Sequence, residues 1–258
     1  MNFAFSSLLI LLILVPGLIF FRFYYSEEFS KEYFKTSPFE VISTSLIPSV
    51  VFHLIGGAVS SWTTGYSIDL QTVGFLLIGT NESALIKDSI TNIQDNVYLI
   101  VKYNLLLWGF AGIAGKASRT IIRRSGLDRK QKLFRFRNRW HYILTGELLQ
   151  FPRVPMEETD LPDFTFIDAL VETQEGTIIY KGILADYDLT GSGDGLETIY
   201  LIHVERRYLS KDRGDWRYRY RNKKNTYYEM PGELFILKYD EIVNLNVTYY
   251  ALQDEDDK

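Results

Sequence analysis

The sequence predicts an α+β chain: an N-terminal transmembrane α-helical domain of about three helices, then a C-terminal small all-β barrel. Three observations predict this. Two stretches of about twenty residues contain no Asp, Glu, Lys or Arg, and a third contains one. Near Phe164 the pattern changes from long apolar runs to two-residue alternation. Mean hydropathy is near zero although 47% of residues are hydrophobic, so an apolar part and a polar part average out. A chain of 258 residues has room for one or two domains.

The first apolar stretch is Phe3 to Phe21, "FAFSSLLILLILVPGLIFF". Its 19 residues, as a helix, cross a bilayer core of about 30 Å. A cleaved signal peptide is the rival reading, but it wants a basic n-region and a small-x-small cleavage site, and neither is visible. Pro16 and Gly17 predict a bend near the end of this helix. The second stretch is Val41 to Trp62, 22 uncharged residues rich in Ser and Gly. Small and hydroxylic residues suit a helix packed against other helices. His53 lies inside it, either as a hydrogen-bonded interior histidine or in a proton-sensing or pore role. The third stretch runs from Val97 to Ala114 with one charge, Lys102. Lys102 snorkels if it sits near a helix end and otherwise faces a polar cavity. Between the second and third stretches, residues 72–80, "TVGFLLIGT", are apolar but too short to span.

Basic residues near helix ends set orientation. Residues 116–139 hold ten Lys/Arg against one acid, Asp128. Residues 22–40 hold three bases and residues 63–96 one. This pattern predicts an inner-membrane, multi-pass protein with its N-terminus outside and its C-terminal half in the cytoplasm. Residues 116–134 read as a basic helix leaving the bilayer, touching anionic lipid or lining a vestibule. The expected organisation is 1–115 transmembrane, 116–163 basic cytosolic helix and connector, 164–252 barrel and 253–258 acidic tail.

The β half begins with two short strands in "FIDALVETQEGTIIYKGILADYDL", turning at Gln174–Gly176. "LETIYLIHVERRYL", "GELFILKY" and "IVNLNVTYY" supply three more, with Asp240–Glu241 as a short turn. In the last strand, alternation predicts Val243, Leu245, Val247 and Tyr249 inward and Asn244, Asn246 and Thr248 outward. Five short strands without a helical pattern read as a small barrel.

The order of landmarks resembles the Sm-like, or SH3-like, small barrels. Gly176 follows the first strand, Gly182 sits within a bent second strand, and Leu184 and Asp188 follow at spacings like the first Sm motif. Pro231-Gly232 precedes Leu234–Leu237 as the Arg-Gly of the second motif does. The base-binding Asn is absent and Pro231 replaces the arginine, so the usual RNA pocket is not implied. The whole plan is similar to a bacterial family of small membrane proteins without an assigned activity. They have an early "PG" helix ("LVPGLIFFRFYY" here), a basic segment with an aromatic pair ("RNRWHYIL" here) and such a barrel. In architecture alone the chain also resembles the membrane subunit of the Hailong anti-phage system, which implies a channel-forming effector restrained by a DNA oligomer.

Catalytic patterns are missing. The three histidines, His53, His141 and His203, have no paired metal spacing. No phosphate-cradling glycine loop precedes a helix and there is no nucleophile elbow. The expectation is therefore no enzyme and no cofactor. "DYDLTGSGDGLE" places Asp186, Asp188 and Glu197 at calcium-loop spacing, but Gly193 stands at an apolar position and the flanks are strands, so a plain Gly/Asp turn is the better reading.

Residues 206–224 hold nine Lys/Arg against Asp212 and Asp215, with aromatics interleaved in "WRYRYRNKK". Cations that track phosphates and rings that stack on bases, roughly 1–3 kcal/mol per base, hold single-stranded nucleic acid. Arg207, Arg213, Arg217, Arg219, Arg221 and Lys224 are the expected phosphate contacts, and Trp216, Tyr218 and Tyr220 the expected stacking residues. The alternatives are contact with a neighbouring subunit, lipid head groups or a solvated face. The expected partners are the membrane, further copies of the chain, and a short single-stranded nucleic acid or nucleotide. The expected function is an oligomeric membrane pore gated by that ligand; the alternative is a non-conducting scaffold whose barrel recruits a cytosolic protein.

Overall fold

The computed structural model describes residues 3–30, 37–78, 83–154, 161–190, 195–209 and 227–252. The chain forms two compact units, Met1–Ser125 and Gly126–Lys258.

The first unit is helical. Helix α1 (Phe3–Tyr24) is followed by a 3₁₀ turn at Glu27–Phe29, then α2 (Pro38–Thr64), α3 (Leu70–Ile78), α4 (Ser83–Asp95) and α5 (Val97–Ser125). Three of these are long and apolar enough to cross a membrane: Ser6–Tyr24, Pro38–Thr64 and Val97–Ser125. Helix α2 starts three residues before its apolar run because Pro38 opens it and the Ser37 hydroxyl accepts the Glu40 N–H. It stops at Gly65, whose φ of 73° only glycine adopts cheaply. The short stretch around residue 75 is α3, nine residues and too short to span. It packs beside α1, where the Ser6 hydroxyl donates to the Leu76 carbonyl at 3.2 Å. Outward faces of the long helices are apolar: Leu46, Ile47, Leu54 and Trp62 on α2, and Leu105, Leu106, Phe110 and Ile113 on α5. So much exposed apolar surface is what lipid covers and water does not tolerate.

Helix α5 continues through the basic segment as far as Ser125. The expected basic helix to residue 134 does not form as one piece, because Gly126 takes φ 65° and breaks it. A four-residue helix α6 (Leu127–Lys130), a 3₁₀ turn at Lys132–Phe134, helix α7 (Arg139–Leu144) and a 3₁₀ turn at Glu147–Gln150 follow.

The rest of the second unit is an open antiparallel sheet: β1 (Phe164–Thr173), β2 (Gly176–Leu189), β3 (Leu196–Tyr208), β4 (Tyr228–Glu229), β5 (Phe235–Lys238) and β6 (Ile242–Tyr250). The order is β4-β3-β2-β1-β6, with β5 also on β3. Strand β3 pairs with β5 through Thr198–Leu201 and with β4 through Glu205–Arg206. Between these halves His203 adopts φ 51°, and the β2–β3 register shifts at Gly182. A Cβ on Gly182 would press on Val204 at 2.8 Å, so the bend needs the bare backbone predicted there. The core joins Leu144 of α7 to Ile167, Ala169, Ile199, Leu201 and Leu237, with Trp140 packed against it.

Strand β6 departs from its predicted alternation. Leu245 and Val247 pack on the core, but Val243 is 58% exposed and Ile242 packs in its place. The β1–β6 register shifts at this point: Leu170 faces Asn244 and Val171 faces Ile242. One extra residue reverses the facing of everything before it.

Candidate functional site

The helical unit contains a polar seam between its three long apolar helices, built around Pro16. Proline has no N–H and opens the helix behind it. The next residue, Gly17, gives its N–H to the Ser49 hydroxyl of α2 at 2.9 Å. Ser49 in turn donates to the Leu14 carbonyl at 2.9 Å. One turn further along α2, His53 Nε2 lies 3.2 Å from the Ile13 carbonyl, and Nδ1 lies 3.2 Å from the Tyr103 hydroxyl of α5. A carbonyl only accepts, so Nε2 carries the proton and Nδ1 accepts from Tyr103. Three helices thus meet at one imidazole, and side chains of α2 bond the Gly17 N–H and the Leu14 and Ile13 carbonyls on either side of the proline. Ser45, Ser49 and His53 recur every four residues, which puts them on one face of α2. The close approach depends on Gly17, where any Cβ would collide with the Ser45 carbonyl and the Ser49 hydroxyl. Asn104 on α5 is buried nearby in sequence to Tyr103; its Nδ2 donates to the Ile100 carbonyl at 2.8 Å and its Oδ1 has no partner among the described residues.

An ionic clamp closes one end of the same bundle. The buried Arg119 of α5 donates to Glu27 at 2.8 Å and to Glu28 at 2.6 Å. Arg123 lies 3.7 Å from Glu28 and over the ring of the fully buried Phe29. Glu27 holds φ 56°, an uncommon conformation for glutamate, to present its carboxylate. The clamp puts the chain leaving α1 and the basic end of α5 at one end of the bundle. Those two helices therefore run parallel, and Gly115 of α5 lies directly against the Phe20 carbonyl of α1.

In the second unit, the segment "RNRWHYIL" is the dock between connector and sheet. Asn138 caps α7 by accepting the His141 N–H at 3.2 Å. His141 Nδ1 lies 2.6 Å from the Tyr187 hydroxyl of β2, and Nε2 lies 3.9 Å from Glu147. Tyr142 donates to the fully buried Asp128 at 3.0 Å and accepts the Phe136 N–H at 3.3 Å. Beside Tyr187 is an open hollow of about 240 Å³, lined in part by Thr145, Asp163, Thr165 and Asp186.

The residues expected to act divide sharply. Arg213, Trp216, Arg217, Tyr218, Arg219, Tyr220, Arg221 and Lys224 lie outside the described residues. The root of their hairpin is described. Arg206 lies over the Tyr228 ring at 5.2 Å and Arg207 over the Tyr227 ring at 5.0 Å, while Tyr208 donates to Glu175 at 3.0 Å. His53 is in the seam. Lys102 is not: it is exposed, in the second turn of α5, the position from which a lysine snorkels. Asp186 and Asp188 lie in β2 and Glu197 in β3, not in a loop, and Asp188 accepts the Tyr200 hydroxyl at 2.8 Å. Among the described residues no three acidic or histidine side chains come together to hold a metal ion. Sequence reading missed Ser49, Tyr103 and Arg119. The four-residue spacing of Ser45, Ser49 and His53 was a usable signal, whereas nothing local ties Arg119 to Glu27.

No protein-family model, curated protein or solved structure matches this chain.

Proposed function

We propose that the protein is an oligomeric inner-membrane effector, a pore whose conductance is set by a phosphate-bearing ligand at its β unit. The seam at Pro16 carries this reading. Polar groups at membrane depth are expensive and are retained where they serve a pathway or a moving joint. Three crossings per chain are too few to enclose a pore, so several copies surround it. The ligand is a short single-stranded nucleic acid or nucleotide, gripped by Arg207, Arg213, Arg217, Arg219, Arg221 and Lys224 and stacked on Trp216, Tyr218 and Tyr220. It shifts gating by binding open and closed states with different affinity. Membrane disruption of this kind suits anti-phage defence. The bend at Gly182 and His203 supports assigning the open sheet to the Sm/SH3-like barrels. The parallel run of α1 and α5 fits three alternating crossings, since first and third crossings must share direction, and the ten Lys/Arg of residues 116–139 favour an N-terminus outside and a β unit in the cytoplasm.

The test is ion flux through liposomes containing the purified protein, with and without short oligonucleotides. Flux that changes with the oligonucleotide supports the proposal. A protein that is monomeric in detergent and leaves the liposomes tight rejects it.

A second reading is a non-conducting scaffold, favoured by β6, which among the described residues pairs only with β1 and exposes Val243 and Tyr250. Such an edge recruits an extended segment of a partner. Salt separates the readings: phosphate binding weakens steeply as salt rises, and edge pairing does not.

A further inference from the structure

We propose that the turn at Lys130–Leu133 is a membrane-surface anchor, with Leu133 entering the interface of an anionic bilayer and Lys130, Lys132 and Arg139 at its head groups. The inference rests on the reading that α5 crosses a membrane. Leu133 is 86% exposed, yet it is not on a loose strand of chain. The Gln131 N–H bonds the Leu127 carbonyl at 2.8 Å, Phe134 bonds Gln131 at 3.2 Å, and Phe136 is buried behind them. An ordered turn therefore holds a large apolar side chain out.

The basic residues around it are sorted. Arg135 turns inward, donating to the Asp128 and Arg129 carbonyls and stacking on Phe151 with its guanidinium 3.6 Å from the ring centre. Arg129 sits 3.8 Å from the Asp128 carboxylate. Lys130, Lys132 and Arg139 are exposed. The one acid among residues 116–139 is Asp128, which is buried on Tyr142. The exposed side chains of residues 130–139 are thus bases, Gln131 and the apolar Leu133, with no acid, the composition that binds an anionic interface. Leu133 follows the end of α5 by only eight residues, so it is close in sequence to the helix read as crossing the membrane.

The chain has no cysteine, so Leu133→Cys accepts a single environment-sensitive dye on the full-length protein. It is reconstituted in phosphatidylcholine vesicles with or without phosphatidylglycerol. Leu161→Cys, an exposed position elsewhere in the unit, is the reference. The expected result is a blue shift and quenching by lipid-borne nitroxide at position 133 only, dependent on phosphatidylglycerol and reduced by salt. Lys130→Gln and Lys132→Gln should each lower the docked-to-free ratio about fivefold. Equal quenching by aqueous iodide in both vesicle types overturns the proposal. So does shielding at position 133 in phosphatidylcholine vesicles equal to that with phosphatidylglycerol, which means that protein or neutral lipid, not an anionic interface, covers Leu133. Extraction of the protein from vesicles by alkaline carbonate rejects the membrane reading itself and is scored separately.

Discussion

His53 and His141 make the same pair in opposite surroundings. Each places an imidazole nitrogen on a tyrosine hydroxyl, Tyr103 in the bundle and Tyr187 in the β unit. Around His141 the elements are already held by an apolar core that excludes water, and the polar pair only orients α7 over β2. Around His53, on the reading that the bundle lies in lipid, burial chooses no face, because α2 is apolar on its outward side as well. Lipid is as apolar as a neighbouring helix, so small residues and hydrogen bonds decide the packing. The same chemistry is therefore an ornament of one unit's packing and the organiser of the other's.

The comparison breaks most readily at its strongest contacts. Ile199→Ala, in the buried β core, should lower stability by about 4 kcal/mol and leave the helical unit folded. Denaturant unfolding monitored by strand and helix signals would show whether the units separate. Gly17→Leu should cost about 3 kcal/mol by forcing α1 off Ser45 and Ser49, seen as loss of thermal stability in detergent. An unchanged melting temperature would mean that the seam does not set the α1–α2 distance. Arg119→Met should cost about 1–2 kcal/mol, a discounted value because Glu27 is 64% exposed. Its loss should be largely independent of salt only if the buried half of the clamp dominates.

The smaller effects sharpen the contrast between the two histidines. A double-mutant cycle of His53→Phe with Tyr103→Phe should give a coupling of about 1 kcal/mol. A matching cycle at His141 and Tyr187 that gave the same coupling with a larger tolerance for single substitutions would support the difference in role. The β unit should also loosen in alkali. The Tyr200 hydroxyl donates to Asp188 and the Tyr208 hydroxyl to Glu175, while Tyr249 is raised by burial beside the Ile143 carbonyl. All three hold their protons above the usual phenol range. Groups raised in the folded state stabilise fully below the ordinary value, about 10, and lose that contribution as pH rises through the raised values. Stability measured from pH 8 to 11 should therefore be flat at first and then fall, and Tyr249→Phe should flatten part of the fall.

Much of the architecture was legible because it depends on runs. An apolar stretch of the right length is a span whatever it packs against, and the three stretches found in the sequence are the three long helices. Five of the six strands from Phe164 to Tyr250 were legible by alternation and the bend at Gly182 by its glycine, whereas the two-residue β4 was not. Val243 was misread because a bulge costs one residue and leaves no mark in the alternation itself. The basic segment was misread past Gly126 because a left-handed turn was not weighed against continuing helix.

What the sequence determined by itself is therefore the division of labour: three membrane-length helices, a basic stretch and a β unit. These follow from local composition, which sets solvent preference residue by residue. The tertiary structure decided which groups meet. Pro16 and Gly17 mark an irregular place in α1, but only the packing of α2 brings Ser49 and His53 to its backbone. Arg119 finds Glu27 and Glu28 across some ninety residues of chain. Such pairings depend on geometry that no neighbouring residue specifies, since the force that brings them together is the packing of whole helices.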